Sequence, residues 1–330
     1  MGQSTISLNK FLLVLTILSG LLSLGNVDHD RVVGCIEMER KALLNFKQGL
    51  KDPSGQLSSW VGEDCCQWRG VQCNHTTGHA VQLKLRNTNS DMDLNGDGEA
   101  AMHALGGEIN PSLLSLKDLN YLDLSMNDFG EVQIPHFIGS LEKLAYVNLS
   151  GAHFGGAIPT SLVNLSRLSY LDLKNVYFQS NERELHWLSG FSSLKYLHLG
   201  GWNLTKAAAH WLQTVNSIPS LLELHLPRCS LTDIPLTLPF INFTSLSVLD
   251  LSNNGFNTKI PTWLFNLKSL THLDLGSNNF QGALPEAIAN LTSLQKLDLS
   301  QNNLENQLPR NLGKLCNLRT LKLCYQQIYR

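Results

Sequence analysis

Hydrophobic and polar positions repeat as one phrase, at a spacing of 24 residues, in the stretch 246–309. The phrase is Leu-x-x-Leu-x-Leu-x-x-Asn, and its clearest copies begin at Leu246, Leu270 and Leu294. Each copy continues with a bulky apolar residue and then an Ile-Pro or Leu-Pro pair. Two leucines that stand two residues apart lie on one face of a strand, and the residue between them points to the other face. Each copy therefore predicts a short strand with one buried side and one solvent-facing side.

One copy alone buries too few aliphatic side chains to offset the conformational entropy of ordering about two dozen residues. Neighbouring copies must therefore stack, share a continuous core and join their strands in a parallel ladder. This is a leucine-rich repeat pattern, and it predicts an α/β repeat solenoid whose short parallel strands line the concave face. The asparagine of the phrase is expected to satisfy backbone groups in the turn between coils, since a buried unpaired amide is costly.

The phrase recurs about nine times in the predicted repeat region, residues 119–330, and its last copy is incomplete. A further pair, Leu83/Leu85, precedes the repeats in a predicted cap strand. Successive strands are 24 to 27 residues apart, and the middle repeats are the least regular. The predicted core pairs are Leu122/Leu124, Val147/Leu149, Leu171/Leu173, Leu197/Leu199, Leu224/Leu226, Leu249/Leu251, Leu273/Leu275, Leu297/Leu299 and Leu321/Leu323.

The middle repeats also depart from the pattern at the asparagine position. This position holds Asn127, Asn254, Asn278 and Asn302 in the conforming repeats, and Ala152, Val176, Trp202 and Cys229 in the others. Cysteine is small and carries a weak S–H donor. Cys229 is therefore expected to occupy the buried position of the asparagine.

Residues 1–25 have the pattern of a secretory signal peptide. Lys10 supplies the positive end, residues 11–24 form the apolar run, and Ser23 and Gly25 are small residues at the positions that a signal peptidase recognises. The alternative is an uncleaved membrane anchor, which is disfavoured because the run is short and contains polar residues. The mature chain is therefore expected in the secretory pathway and then outside the cell.

Residues 26–79 are predicted to form an N-terminal cap, because the first coil of a solenoid has an open hydrophobic end. A helix is expected from Cys35 to Leu50, where apolar residues recur at helical spacing. Cys65, Cys66 and Cys73 follow it, and four cysteines permit three pairings. The favoured pairing is Cys35 with Cys65 and Cys66 with Cys73. A zinc site is the alternative, but adjacent cysteines do not match zinc spacing.

Residues 80–118 hold the cap strand, an acidic insertion and the entry to the first full repeat. The insertion, Asp91 to Glu99, imitates the first nine positions of a calcium-binding loop. The twelfth position is Met102, where the pattern requires a bidentate carboxylate. A solvated loop is therefore predicted here, and no metal site.

Composition narrows the possible functions of the 330 residues. The net charge is −2, with 25 Lys plus Arg against 27 Asp plus Glu, so no basic stripe is expected and nucleic acid is not a predicted partner. The sequence has no Gly-x-Ser-x-Gly, His-Glu-x-x-His or phosphate-binding glycine motif. An enzyme is therefore not predicted, and neither is a cofactor.

Three motifs resemble those of plant extracellular leucine-rich repeat proteins. They are the helix beginning at Cys35, the segment Asp-Cys-Cys-x-Trp-x-Gly-Val-x-Cys at 64–73, and the Leu-x-Gly-x-Ile-Pro style of the repeats. Within these proteins the chain looks most like the receptor-like proteins of the disease-resistance and elicitor-receptor group. The resemblance covers nearly everything after the signal peptide.

This resemblance implies an ectodomain that binds a microbial elicitor or a plant peptide and acts in defence signalling. Such a protein has one transmembrane helix, is a type I protein of the cell membrane, and signals through partner receptor kinases. The sequence reaches Arg330 without such a helix, so the chain is interpreted as the N-terminal part of the ectodomain. The alternatives are a secreted protein that resembles polygalacturonase inhibitors and a soluble decoy.

Ligand recognition is predicted on the concave face, because tyrosine and charged side chains on a rigid scaffold suit binding of a protein or peptide. The predicted patch consists of Tyr170, Asp172, Lys174, Tyr196, His198, Glu223, His225 and Arg228. Six N-glycosylation sequons are predicted to carry sugars on exposed surface: Asn74, Asn148, Asn164, Asn203, Asn242 and Asn290. Asn148 lies within a predicted concave strand, where a glycan would limit ligand access.

Overall fold

The computed structural model describes residues 34–88, 102–175, 185–305 and 307–323. The predicted signal peptide, the acidic insertion at 91–99 and Val176 lie outside these ranges. Two α-helices are present in the described residues, α1 (Glu37–Gly49) and α2 (Trp211–Asn216). Shorter 3-10 helices occupy Cys65–Gln67, Pro111–Ser115, His136–Ser140, Thr160–Asn164, His186–Gly190, Thr205–Ala207, Thr262–Asn266, Glu286–Asn290 and Arg310–Lys314.

Most strands are only two or three residues long. They are β1 (Leu50–Lys51), β2 (Val71–Cys73), β3 (Ala80–Lys84), β4 (Gly106–Gly107), β5 (Tyr121–Asp123), β6 (Tyr146–Asn148), β7 (Tyr170–Asp172), β8 (Tyr196–His198), β9 (Glu223–His225), β10 (Val248–Asp250), β11 (His272–Asp274), β12 (Gln281–Gly282), β13 (Lys296–Asp298), β14 (Asn303–Leu304) and β15 (Thr320–Lys322). One strand therefore lies at the start of each predicted repeat.

A single sheet of eleven strands joins the repeats. Its order is β15-β13-β11-β10-β9-β8-β7-β6-β5-β3-β2, and all pairs are parallel except β2 with β3. Equivalent residues of neighbouring repeats pair directly, as Leu249 does with Leu273 and Leu273 with Leu297. The predicted leucine-rich repeat solenoid is thereby confirmed.

The core runs the length of the solenoid between the strands and the 3-10 helices. The strand leucines from β5 to β13 are almost fully buried, as in Leu171, Leu197 and Leu249. The predicted core pair Leu321/Leu323 is an exception, because Leu321 in β15 is 38% exposed and Leu323 is only partly buried. The bulky residue later in the repeat adds stacked aromatic rings, with the ring centroids of Phe256 and Phe280 5.6 Å apart. Each repeat thus shares its apolar face with the next repeat, which is why the copies must stack.

The N-terminal cap closes the first coil. Disulfides join Cys35 to Cys65 and Cys66 to Cys73, the pairing that the sequence favours. The helix α1 is attached to the cap strand by the buried Glu39, whose carboxylate accepts the amide N–H of Ala80 at 2.7 Å. Since the four cysteines are disulfide-bonded, they offer no thiolates to a zinc ion.

Asparagines inside the solenoid connect each coil to the one before it. The side-chain amide of Asn278 donates to the carbonyl oxygen of Leu251 in the preceding repeat at 3.0 Å, and Asn302 donates to Leu275 in the same way at 2.9 Å. The side-chain oxygen of Asn302 accepts the N–H of Phe280. The expected role of the asparagine in satisfying buried backbone groups is therefore observed.

Two of the irregular repeats provide a different donor at the same place. The indole N–H of Trp202 donates to the carbonyl oxygen of Leu173 at 2.8 Å. The thiol of Cys229 donates to the carbonyl oxygen of Leu199 at 3.2 Å. Burial raises the pKa of Cys229 to about 12, so the group stays a neutral thiol that can donate.

Candidate ligand-binding surface

The parallel register arranges the outward side chains of the strands in two rows across the concave face. The first row holds the first residue of each three-residue strand from β5 onward and its partner Gln82 in β3: Gln82, Tyr121, Tyr146, Tyr170, Tyr196, Glu223, Val248, His272, Lys296 and Thr320. The second row follows the last residue: Lys84, Asp123, Asn148, Asp172, His198, His225, Asp250, Asp274, Asp298 and Lys322. The face therefore changes from aromatic near the cap to charged farther along.

Four tyrosines of the first row stack on one another. The ring centroids of Tyr121, Tyr146, Tyr170 and Tyr196 are 3.9, 4.0 and 4.0 Å apart in order, and the planes of successive rings differ by 12° or less. The stack buries the ring faces, so all four side chains are half-buried rather than exposed. We call this set the tyrosine ladder. Its close packing makes it a rigid surface.

A histidine pair continues the tyrosine ladder. The rings of His198 and His225 lie 5.1 Å apart, and that of Tyr196 lies 5.2 Å from His225. Nδ1 of His198 is 3.3 Å from the Tyr196 hydroxyl oxygen, and Nε2 of His225 is 3.4 Å from a carboxylate oxygen of Glu223. Asp172 is also close, 3.7 Å from Nδ1 of His198. Six of the eight predicted patch residues thus form one connected group.

The sequence predicts that Asp172 faces solvent on the concave side, but its side chain is buried. Its exposed fraction is 7%, because one carboxylate oxygen accepts the backbone N–H of Lys174 at 3.0 Å. Asp123 and Asp298 make the same bond to the residue two positions later, and both are buried. The carboxylate folds back on the turn after the strand, which is the usual behaviour of aspartate in a tight turn. The recurring aspartate therefore belongs to the repeat.

Lys174 and Arg228 are exposed at the border of the patch, just after their strands. Arg228 adopts a left-handed backbone conformation, with φ of 55°, at a position that is Gly201 in the preceding repeat. That conformation is uncommon for a residue with a side chain. The two cations border the histidine pair and its carboxylates without being buried among them.

A small hollow lies on the concave face beside the histidine pair. It has a volume of about 180 Å³ and opens over Val248, the smallest side chain of this part of the first row. His225, Asp250, His272, Asp274 and Lys296 line it. The sequence analysis missed this hollow, although a valine between Glu223 and His272 in the register is its signal.

Neighbouring aspartates of the hollow have different pKa values. Burial raises the pKa of Asp274, and the negative charges of Asp250 and Asp298 raise it further. Burial acts on Asp250 as well, but bonds with His225 and Ser252 bring the pKa of Asp250 below its usual value. In the next repeat, Gly276 takes the place of Ser252 and donates only its backbone N–H to Asp274. The second row therefore carries one carboxylate that is poorly compensated.

The sequons fall into two groups. Asn74, Asn164, Asn203, Asn242 and Asn290 are exposed. Asn148 is different, because it occupies the aspartate position of the second row and its exposed fraction is 7%. Its side-chain oxygen accepts the backbone N–H of Ser150 at 3.0 Å and the Ser150 hydroxyl at 2.8 Å. The expectation that all six sequons lie on exposed surface is therefore wrong for Asn148.

The concave surface combines apolar and polar side chains that could contact a ligand. Stacked phenols, imidazoles and carboxylates offer apolar area and hydrogen-bonding groups on a rigid sheet. No helix in the described ranges is both long and apolar enough to cross a bilayer.

Family models match both parts of the chain. Residues 36–74 match the leucine rich repeat N-terminal domain, and residues 175–329 match a leucine-rich repeat region. The chain is therefore a leucine-rich repeat protein with an N-terminal cap domain, as the fold indicates.

Within that class, the chain is similar to the receptor-like proteins of plants. It is 41% identical over 245 residues to receptor-like protein EIX1 of Solanum lycopersicum and 40% identical over 238 residues to EIX2 of the same plant. These alignments cover 71% and 70% of this chain. They cover only 23% and 22% of the two relatives, so the chain matches less than a quarter of their length.

Solved structures show the same architecture. The Arabidopsis receptor kinase HAESA, in complex with the peptide hormone IDA and the co-receptor SERK1, superposes with a TM-score of 0.70 at 27% identity. The superposition covers 86% of this chain and 45% of that chain. The chain therefore shares its solenoid with a plant receptor ectodomain.

Proposed function

We propose that this chain is an extracellular ligand-recognition region of a receptor-like protein in plant defence and innate immune signalling. Its ligand is a microbial elicitor or another peptide or protein, and the complete receptor signals through partner receptor kinases. The ligand contacts the concave patch between Tyr170 and Arg228.

The connected group of tyrosines and histidines on the concave face carries this proposal. Aromatic side chains that are already packed lose little conformational entropy on binding, so they are effective anchors for a partner. The exposed Lys174 and Arg228 add charge at the border, where it favours the correct orientation of a protein ligand. The similarity to receptor-like proteins and to a receptor solved with a peptide and a co-receptor supports the same assignment.

Binding to size-fractionated secreted proteins of a plant-pathogenic fungus tests the proposal. The purified chain is immobilised, and binding of each fraction is measured by biolayer interferometry. A variant with Glu223→Ala, His225→Ala and Arg228→Ala removes three groups of the patch. We expect that any fraction that binds the wild type will bind this variant at least about tenfold more weakly.

A matched control changes the same three residue types outside the strand rows. His136→Ala, Glu142→Ala and Arg167→Ala alter exposed side chains on the 3-10 helices and the turns. This variant should bind like the wild type. Equal binding by both variants, or loss only in the control, would place recognition elsewhere. Inhibition of a purified polygalacturonase by the wild type, without any binding of the other fractions, would favour the inhibitor function instead.

A further inference from the structure

A second depression lies on the side of the solenoid that carries the helices, away from the concave strands. It is a cleft of about 510 Å³ between α2 and the segment 233–242. Trp211, Leu212, Leu238 and Phe240 supply apolar surface, and Gln213 and Ser217 supply polar groups. The cleft therefore suits an occupant with both an apolar face and hydroxyl or amide groups.

One predicted glycosylation site lies in the lining of this cleft. Asn242 is followed by Phe243 and Thr244, which completes an Asn-x-Thr sequon. Among the five exposed sequons, this asparagine alone lines the cleft. The occupant can therefore be a sugar attached to the chain itself.

The buried Asn216 holds Asn242 in a defined orientation. The oxygen of the Asn216 side chain accepts the backbone N–H of Asn242 at 2.8 Å, and its amide donates to the carbonyl oxygen of Phe240 at 3.1 Å. Nδ2 of Asn242 in turn donates to the backbone carbonyl oxygen of Asn216 at 3.1 Å. That bond needs one of the two Nδ2 hydrogens, which leaves the other for substitution.

Phe240 stands two residues before the sequon asparagine and has an exposed fraction of 63%. Its ring lines the same cleft as Asn242. An exposed phenylalanine costs solvation free energy unless something covers it. N-acetylglucosamine has a face of C–H groups that can cover an aromatic ring, and its hydroxyl and acetamido groups can bond to polar neighbours.

We propose that the first N-acetylglucosamine of a glycan on Asn242 lies in this cleft and packs on the ring of Phe240. The glycan is thereby part of the folded surface. This inference rests on the proposed function only in requiring passage through the secretory pathway. Attachment joins Nδ2 of Asn242 to the anomeric carbon of a lipid-linked oligosaccharide diphosphate. The diphosphate leaves, and one Nδ2 proton is released, while the remaining N–H keeps its bond to Asn216.

A double-mutant cycle on the secreted, glycosylated chain tests the inference. Melting temperatures are measured for the wild type, Phe240→Ala, Asn242→Gln and the double variant, and peptide mass spectrometry gives the occupancy of each sequon. We expect occupancy at Asn242 and a melting temperature about 2–4 °C lower in Phe240→Ala. The same Phe240→Ala change should have no such effect in the Asn242→Gln background, because the sugar is absent.

Asn290→Gln is the matched control, since it removes a glycan from an exposed sequon that does not line the cleft. Its effect should add to that of Phe240→Ala without coupling. A second measurement needs no variant: trimming the glycan to a single N-acetylglucosamine should keep the stabilisation, and complete removal should abolish it.

Equal effects of Phe240→Ala with and without the glycan would overturn the inference, and so would an unoccupied Asn242 in a chain that is glycosylated elsewhere. A chain that carries no glycan at any sequon would contradict the secretory localisation and hence the proposed function. The two failures are therefore distinguishable.

Discussion

At the scale of single residues, a buried side-chain donor bonds to a carbonyl oxygen of the preceding coil in most of the described repeats. Asparagine supplies both a donor and an acceptor, and both bond to backbone groups of the preceding coil, as Asn302 does with Leu275 and Phe280. Trp202 and Cys229 keep the donor alone. Trp202 and Cys229 therefore preserve the hydrogen bond although the consensus residue is lost, whereas the buried Ala152 at the same position provides no side-chain donor.

Asn254→Ala should lower the free energy of unfolding by about 2–4 kcal/mol. The side-chain amide of Asn254 donates to Leu226 and Leu251, and its oxygen accepts the N–H groups of Cys229 and Leu231, all of which would lose a partner. Urea unfolding measures the change. Asn279→Ala is the control, since that asparagine is exposed, and should change stability by less than about 0.5 kcal/mol.

Asp274→Asn should stabilise the chain by about 0.5 kcal/mol at pH 7, the size of one like-charge repulsion between neighbouring strands. Asparagine keeps the acceptor for the N–H of Gly276, as Asn148 does for Ser150. The pKa of Asp274 is raised in the folded chain, so its charge costs stability only above that pKa. The gain should therefore disappear as the pH falls through it.

Urea unfolding at neutral and acidic pH makes the comparison for Asp274→Asn. The control is Asp250→Asn, which removes a carboxylate whose pKa is lowered by His225 and Ser252 in spite of its burial. That change should not stabilise at neutral pH. A loss of stability in Asp274→Asn at pH 7 would contradict the account of repulsion along the second row.

Asn148 should carry little or no glycan in the secreted, folded chain. Its side chain is buried and bonded to Ser150. Those bonds would have to break, and the side chain would have to turn out of the second row, before an attached sugar could reach solvent. Site-resolved mass spectrometry gives the occupancy of each sequon. Occupancy at Asn148 as high as at Asn164 or Asn290 would show that the strand accommodates the modification.

At the scale of elements, strands of three residues form a continuous surface only through their register. Pairing of Tyr121 with Tyr146, and of Tyr146 with Tyr170, stacks rings that are about 25 residues apart along the chain. The tyrosine ladder is thus a property of adjacent repeats rather than of any one repeat.

The tyrosine ladder should ionise at unusually high pH. Burial raises the pKa of Tyr146 and of Tyr196 to about 12, and it raises the pKa of Tyr121 and Tyr170 as well. The neutral rings are favoured in the folded state, so this stabilisation is complete below pH 10 and is lost as the pH rises through 12.

An ultraviolet absorbance titration of phenolate formation checks the ladder. Four of the seven tyrosines should titrate well above the others in the folded chain and near the ordinary value in urea. A single transition near pH 10 under folding conditions would show that the rings are accessible to solvent and do not form a packed ladder.

At the scale of the whole molecule, the main contacts between elements in the described ranges join neighbouring repeats, and the cap protects the first of them. Removing the disulfide between Cys35 and Cys65, by Cys35→Ala with Cys65→Ala, should cost about 3–4 kcal/mol, because it opens a loop with a separation of 30 residues. Hydrogen exchange should rise most in α1, β2 and β3 and much less in β11 and β13.

Cys66→Ala with Cys73→Ala provides the control for the cap. This disulfide closes a separation of only 7 residues, so its loss should cost about 2 kcal/mol and affect the same region less strongly. A uniform rise of hydrogen exchange along the chain in either variant would mean that the solenoid unfolds as one cooperative unit.

The sequence by itself determined the repeat, the strand positions, the cap and the set of side chains that face outward. These follow from a local alternation of leucines, from the spacing of the cysteines and from the length of the period. Only the tertiary structure decided which of those side chains are exposed to solvent and which are buried. The register stacked the tyrosines and brought His198 to His225, while hydrogen bonds to the following turn buried Asp172 and Asn148. The cleft at Asn242 depended on α2 meeting a segment about 25 residues later, a contact between repeats that no local pattern specifies.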